Sequence, residues 1–407
     1  MQIIDYITSK TKHLFSDHSE LQDFCLSKLR SSPLPDKNNE EWRLADKKKL
    51  SSLLDYQYSN EFYPPDIPKY LSSKESIKLF IGDKNKLNIK KDKWEIIELN
   101  KEEINKLIED KLNSGERNLE WSNALNHILT KKENLIGIKI SGNLIPPLEI
   151  YSNSKSDYFN SKTLILILEK NSKANILQIN LGDNNSSLSL SSYILLEENS
   201  ILNHGVLSLG KDNSNLLNTL DISQKPSSEY HLGSIQLKYN FARFEISVNQ
   251  ISGKAKTNIR GMQVSKDDEQ IATYTTIKFN GPEGFLNQLN KSLANDKSHS
   301  IFDGSIIVPK RAQKTDASQL SRNLLLSNQA KIDTKPQLEI IADDVKCKHG
   351  ATISQLNEDE LFYMRSRGLT FAEASKLQLK SYYKEIITTI PVLERNVEFL
   401  DYLLNDK

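Results

Sequence analysis

The sequence predicts a mainly β fold flanked by helices at both ends, and three observations point there. Between Ile136 and about Val345, short apolar segments such as IGIKI, PPLEIYS, TLILILE, ANILQINL, SLSLSSYILL, GSIQLKY and RFEISVNQ alternate with polar clusters, the pattern of many short strands. The clusters NSKSD, NSKAN, GDNNSS, EENS, KDNSN and QKPSSE return about every dozen residues or somewhat more, the interval at which strands stack coil upon coil. Outside this region the apolar residues switch to three-and-four spacing, the helical period. No repeat shows at the level of residue identity, and a β-sandwich needs the same density of turns, so spacing favours a parallel β-helix only slightly. Continuous apolar runs such as LILIL require burial on both faces, as in a solenoid stacked against another chain.

Residues 1–130 form the expected N-terminal, mostly helical domain. Ile4, Tyr6, Ile7, Leu14 and Phe15, then Leu21, Phe24, Cys25 and Leu29, keep helical spacing until Pro33 and Pro35 stop it. Next come NNEEWRLADKKKL, with Trp42 beside two glutamates, a proline-rich link FYPPDIPKY, a short strand IKLFIGD and a charged helix KEEINKLIEDKLN. Cys25, on an apolar helical face, reads as buried packing. The β core is expected over residues 131–350 and a C-terminal helical domain over 351–407. There, Asn357 with Glu360 and Thr370 with Glu373 form capping-box signatures, and Gly368 sits where the first helix should end. Leu361, Phe362 and Met364 line the first helix, and Phe371, Ala374, Leu377, Tyr382 and Ile386 the second. Pro391 ends it, and Val392, Val397, Phe399, Leu400 and Leu403 mark a last helix. Short amphipathic helices after a β body must dock on that body or on a partner.

With 54 Lys+Arg against 53 Asp+Glu, a formal charge of +1, no global field favours nucleic acid or an anionic membrane. The basic runs KDKW and ADKKKL lack interleaved aromatics for base stacking and read as solvated faces. Two cysteines, Cys25 and Cys347, argue against a disulfide framework and for a reducing compartment, the cytosol. The start, MQIIDYITSKTKHLF, has no basic region followed by a long apolar one, and no stretch approaches a spanning helix. The phosphate-binding, dinucleotide-binding, zincin and lipase-type motifs are missing. A β-helix polysaccharide enzyme would need paired acids. Asp343 and Asp344 are the nearest candidates, but neighbours on a strand face opposite ways, and a solvated edge pair explains them. Trp42, Trp94 and Trp121, which such an enzyme would want along its groove, all precede the β region.

One constellation carries chemistry. An alternating strand from Leu338 to Ala342 runs into Asp343 and Asp344, and Cys347 and His349 then bracket one lysine before Gly350 breaks the pattern. Two residues apart on an extended backbone, thiol and imidazole share a face. That suits a shared metal, a shared sulfur species, or two inward-facing residues. The other histidines are scattered, and two cysteines are too few for a structural zinc site.

At these residues the chain becomes recognisable. From Ile301 to Ala374, including IFDGSIIVPK, KIDTKPQLEI and CKHGAT, it strongly resembles the SufD-like members of the SufB/SufD family, components of the SUF iron-sulfur cluster assembly machinery; NNEEWRLAD resembles a further family motif. Between about residues 50 and 230 only the general strand pattern matches. The resemblance implies a right-handed parallel β-helix core between helical domains, and a non-catalytic scaffold subunit rather than an enzyme. It implies pairing of that core with a SufB-like paralogue, and a SufC-like ABC ATPase, which would hydrolyse the ATP, bound on the C-terminal helices. By that analogy Leu361, Phe362, Tyr363, Met364, Arg365, Arg367, Phe371 and Leu377 belong to the ATPase dock.

SufB-like chains carry a sulfur-accepting cysteine where this one reads KIDTKPQLEI, and a glutamate where Gly350 stands; both departures place it on the SufD side. The resemblance also implicates His349, with Cys347 its neighbour, in a transient iron or nascent Fe-S cluster at the heterodimer interface, with no stably bound cofactor. Imidazole and thiolate are suitable ligands, and one strand end supplies too few, so a partner would complete the site. The alternatives are a self-sufficient homodimeric iron or cluster scaffold, the state open to the isolated chain, and the carbohydrate-active β-helix.

Overall fold

An Asn-Ser pair turns the chain every fourteen residues at the start of the β region: Asn171-Ser172, Asn185-Ser186, Asn199-Ser200 and Asn213-Ser214, with Ser227-Ser228 continuing the series. In the computed structural model each first residue of these pairs is left-handed, with φ between +49° and +60°, a region asparagine tolerates better than most side chains. The serine hydroxyl then donates to the carbonyl three residues back: Ser186 to Asp183, Ser200 to Glu197, Ser214 to Lys211, Ser228 to Lys225, at 2.6–2.7 Å. Two such corners make one coil, so equivalent corners lie 28 residues apart and ladder. Asn199 donates to Asn171 and Asn213 to Asn185, both at 3.1 Å. This repeat is the one that identity-level comparison of the sequence missed, because only the corner is constrained.

The structure describes residues 20–31, 39–59, 61–68, 71, 73–83, 87–113, 120–391, 398–399 and 402. The expected helical positions Ile4, Tyr6, Ile7, Leu14 and Phe15, the side chain of Leu21, the stops Pro33 and Pro35, and Val392, Val397, Leu400 and Leu403 lie outside them. The N-terminal elements are α1 (Glu20–Ser31), a 3-10 turn (Glu40–Trp42), α2 (Lys47–Ser52), β1 (Gln57–Tyr58), β2 (Ile77–Phe80), β3 (Ile89–Lys90), β4 (Trp94–Glu98), α3 (Lys101–Asn113) and α4 (Glu120–Leu129).

The solenoid follows as β5 (Leu135–Gly142), β6 (Leu148–Asn153), β7 (Tyr158–Leu168), β8 (Lys173–Leu181), β9 (Ser187–Leu196), β10 (Ile201–Leu209), β11 (Asn215–Gln224), β12 (Glu229–Leu237), β13 (Phe241–Gln250), β14 (Lys256–Ser265), β15 (Gln270–Phe279), β16 (Phe285–Ala294), β17 (His299–Val308), β18 (Asp316–Leu325), β19 (Lys331–Ile340) and β20 (Lys346–Ser354). Odd strands stack in one sheet and even strands in the other, parallel and in register, through eight coils. This is the parallel β-solenoid with flanking helices that the turn spacing suggested. Ile194, Ile222, Val248, Ile277 and Ile306 from the odd sheet meet Ile176, Leu202, Leu232, Ile259 and Leu286 from the even one in the interior. Each such fully buried side chain contributes about 1.5–3 kcal/mol.

Two expectations need correction. The strand expected in IKLFIGD forms as β2, beside β6 in the even sheet, but the mostly helical reading of residues 1–130 missed further strands, among them Trp94–Glu98, which pairs antiparallel with β5. The alternation in WEIIE, half-buried on a sheet, outweighed its helix-compatible glutamates. The double-sided burial of the LILIL run is satisfied within this chain. Ile165, with Tyr193, Leu217 and Phe241, packs under Trp121, Leu125 and Ile128 of α4.

Two helices close the described chain, α5 (Glu358–Ser366) and α6 (Phe371–Ile387). The Asn357 side chain accepts from the Glu360 amide, Thr370 and Glu373 form a reciprocal capping box, and Gly368 ends α5 at φ +97°. Tyr383, Ile386, Ile387 and Ile390 seal the outer face of the even sheet against Leu207, Ile235 and Met262. Gly205 and Gly233 permit this, because a Cβ at either would come within 3.0 Å of Ile390. No described helix is long and apolar enough to cross a membrane.

Candidate functional site

The odd sheet ends at β19 and the even sheet at β20, and among the described residues neither has a strand on its far side. The last coil therefore presents two parallel rows of backbone donors and acceptors together with an uncovered interior. Unpaired edges of this length are sites of strand addition. Ile340, Ile341 and Ile353 stand exposed on these two strands and the bend between them, Ile341 at 58%.

Cys347 and His349 lie on β20, in register with Ala317 and Gln319 of β18. Ala317 belongs to the apolar interior, and buried Gln319 donates to Gln288 at 3.0 Å. Both sequence-predicted residues thus face inward, as their two-residue spacing required. Half-buried Cys347 packs on the interior, whereas His349 is exposed, since no further coil covers it. Gly350 does not break the pattern: the strand continues to Ser354, so CKHGAT is a strand and not a turn, and the solenoid runs past 350. The bend falls earlier and contains Asp343 and Asp344, both exposed. The Asp344 amide donates to Gln313 at 2.9 Å. They are corner residues, not a strand pair, and their solvated character stands.

Burial pushes the Cys347 thiol up; the Ala317 backbone opposes the shift and the charge of Asp316 adds to it. The thiol is therefore mostly protonated at neutral pH, and a ligand role would need a metal to displace the proton. Cys25 is fully buried among Trp42, Leu29 and Trp121, and burial followed by Glu109 pushes it up to about 12. A thiol-labelling experiment on the folded chain is expected to modify Cys347 slowly and Cys25 only after denaturation, giving one label per chain before unfolding and two after, by mass spectrometry. Among the described residues no group of three His, Cys, Asp or Glu side chains is placed to hold a metal, so Cys347 and His349 stand there as an incomplete donor set.

A second surface lies on the helices. Leu361 turns inward, but Phe362, Tyr363, Phe371 and Leu377 are exposed, Phe362 at 74%. Met364 is half-buried, and Arg365 and Arg367 are exposed, the Arg367 guanidinium 5.4 Å from the Tyr363 ring. Leu361 and Phe362, expected to share a lining, are divided, the first buried and the second in solvent, because adjacent helical positions do not share a face. The far end of α6 is pinned: Tyr382 donates to the Arg322 carbonyl at 2.6 Å, and Lys291 pairs with Glu385 at 2.5 Å. The near end and α5 present large apolar side chains on a firm base, the usual anatomy of a docking patch. Sequence reasoning missed the three edge isoleucines, whose exposure depends on where the last coil stops.

Comparison with known proteins agrees with this geometry. Residues 150–382 match the family described as SUF system FeS cluster assembly, SufBD core domain. An iron-sulfur cluster assembly SufBD family protein of Synechocystis is 41% identical over 174 residues, 43% of this chain and 38% of that protein. The iron-sulfur cluster assembly protein SufD of Escherichia coli is 36% identical over 163 residues, 39% of this chain and 37% of its own, and the chloroplastic protein ABCI7 of Arabidopsis thaliana 35% over 171 residues, 42% and 36%. The chain thus aligns with less than two-fifths of the length of each of these relatives. With more than half of its residues inside the matched domain, and that domain folded as a parallel solenoid, the chain belongs to the SufBD family of SUF-system iron-sulfur cluster assembly proteins.

Proposed function

We propose that the chain is a non-catalytic scaffold subunit of an iron-sulfur cluster assembly complex, the SufD-like half of a pair with a SufB-like paralogue. One observation carries this most directly: the two unpaired edges β19 and β20 frame an incomplete Cys347–His349 donor set at the uncovered end of the solenoid. A paralogue adding its own strands there would cover Ile340, Ile341 and Ile353 and bring the missing ligands. His349 then acts as a transient iron or cluster ligand or proton relay, with half-buried Cys347 supporting it. The iron or nascent cluster is cargo and is not held by this subunit alone.

The exposed side chains of α5 and α6 support an ABC-type ATPase as the second partner, with ATP hydrolysis on that chain. The cysteine count supports a reducing compartment, the cytosol. A His349→Ala variant is expected to lower cluster assembly at least tenfold, the range for loss of a metal-supporting side chain, with an unchanged melting temperature because the residue is exposed. Full cluster assembly in cells carrying only this variant would refute the role assigned to His349.

A further inference from the structure

The N-terminal segment from Asn39 to Ser52 lies as a strap across the outer face of the odd sheet, and one of its fastenings depends on the protonation of a histidine. The Gln270 side chain on β15 accepts from the Asp46 amide at 2.7 Å and donates to the Leu44 carbonyl at 3.1 Å. Both strap partners are backbone groups, so they fix the amide: Oε1 faces Asp46 and Nε2 faces Leu44. The same Nε2 lies 2.9 Å from Nδ1 of His299 on β17. Nδ1 must therefore carry the lone pair, which leaves the hydrogen on Nε2, where it donates to Asp333 of β19 at 2.7 Å. Asp333 also accepts from Lys331.

We propose that His299 is a pH-operated latch, holding the strap on the sheet while neutral and loosening it when protonated. A proton on Nδ1 would face the Gln270 amide donor. Relief by an amide flip would turn Nε2 toward the Asp46 N–H and Oε1 toward the Leu44 carbonyl, losing both bonds to the strap at once. The charged groups facing the imidazole are Asp333 and Lys331 from β19 and Asp46 from the start of α2. Burial outweighs Asp333 and holds His299 below its ordinary range. The sign follows: the open state takes up the proton first, so docking is unaffected above the ordinary histidine range and weakens as pH falls through it.

Other contacts persist, including Glu40 with Lys335, Lys49 with Asp268, and the Trp42 stack, so release is local. Glu269, pushed up to about 7 by burial, is a rival titrating group beside Gln270, and the test must separate the two.

Hydrogen exchange of residues 39–52 in the full chain, corrected for intrinsic rates, is read from pH 8 to 5.5. Strap protection is expected to fall on the order of tenfold in the wild type, the scale of one to two lost hydrogen bonds, and to stay flat in His299→Gln, which keeps an acceptor and a donor but does not titrate. Flat protection in the wild type, or the same fall in the variant, overturns the latch. Imidazole nitrogen spectra of the wild type at pH 8 give a check independent of the variant's folding: the Nε2–H tautomer is expected at His299, and the Nδ1–H tautomer contradicts it.

Discussion

Replacing Arg243 with alanine is expected to lower the unfolding free energy by about 3–5 kcal/mol, the cost of leaving a buried charge without its partner. Arg243 is fully buried on the outer face of β13, with its guanidinium 3.7 Å from the ring centroids of both Trp42 and Tyr274. It pairs with Glu245, equally buried, and donates to the Glu41 carbonyl at 3.0 Å. It therefore nails the EEW turn of the strap to the solenoid, and Trp42 passes the contact on to Trp121 of α4, edge to face at 5.3 Å. Alanine removes two cation–π stacks and leaves Glu245 buried without its cation. The double variant Arg243→Met, Glu245→Leu should recover most of the loss, since removing both charges also removes their desolvation cost. Chemical denaturation of the three proteins decides it. A loss below about 1 kcal/mol in the single variant would mean that the pair is hydrated and the strap held elsewhere.

The second large effect is expected on binding. If the proposed ABC-type ATPase docks on this hairpin, Phe362→Ala and Phe371→Ala should each weaken its capture by about 2 kcal/mol, roughly thirtyfold in Kd, as for aromatic anchors of an interface. Neither should change the melting temperature, because both rings are exposed in the free chain. Leu361→Ala is the contrasting control: it is buried, so it should cost stability as well. Titration calorimetry against the purified ATPase checks this, and unchanged affinity in both phenylalanine variants would move the dock off this hairpin.

The strands could be read in the sequence because the corners between them are local, while the choice of a solenoid over a sandwich rested on the family resemblance. Polar clusters at near-regular spacing and strand-like runs between them are enough to place strands, and the helix caps at Asn357, Thr370 and Gly368 are local too. What escaped was non-local. The LILIL run of β7 announces two buried faces but not what covers the second, and α4, some forty residues earlier in the chain, does so. WEIIE becomes a strand only because β5 offers an edge. Arg243 looks like an ordinary strand charge until Trp42 and Tyr274 close over it. For the site, the Cys347–His349 spacing gave the shared face, while Gly350 suggested a break that its sheet partner Leu320 overrides. His349 is exposed because the solenoid ends there, a fact about coil number that no local pattern encodes.

The most direct test of the central claim, that the open end of the solenoid and the C-terminal hairpin are completed by other chains, is an anaerobic pull-down of the full chain from a lysate of its native cells, with co-purifying chains identified and counted. Recovery of one SufB-like paralogue and an ABC-type ATPase, with the ATPase lost in the Phe362→Ala, Phe371→Ala double variant, is the predicted result. Recovery of the chain by itself, as a monomer or as a homodimer holding its own iron, would contradict it.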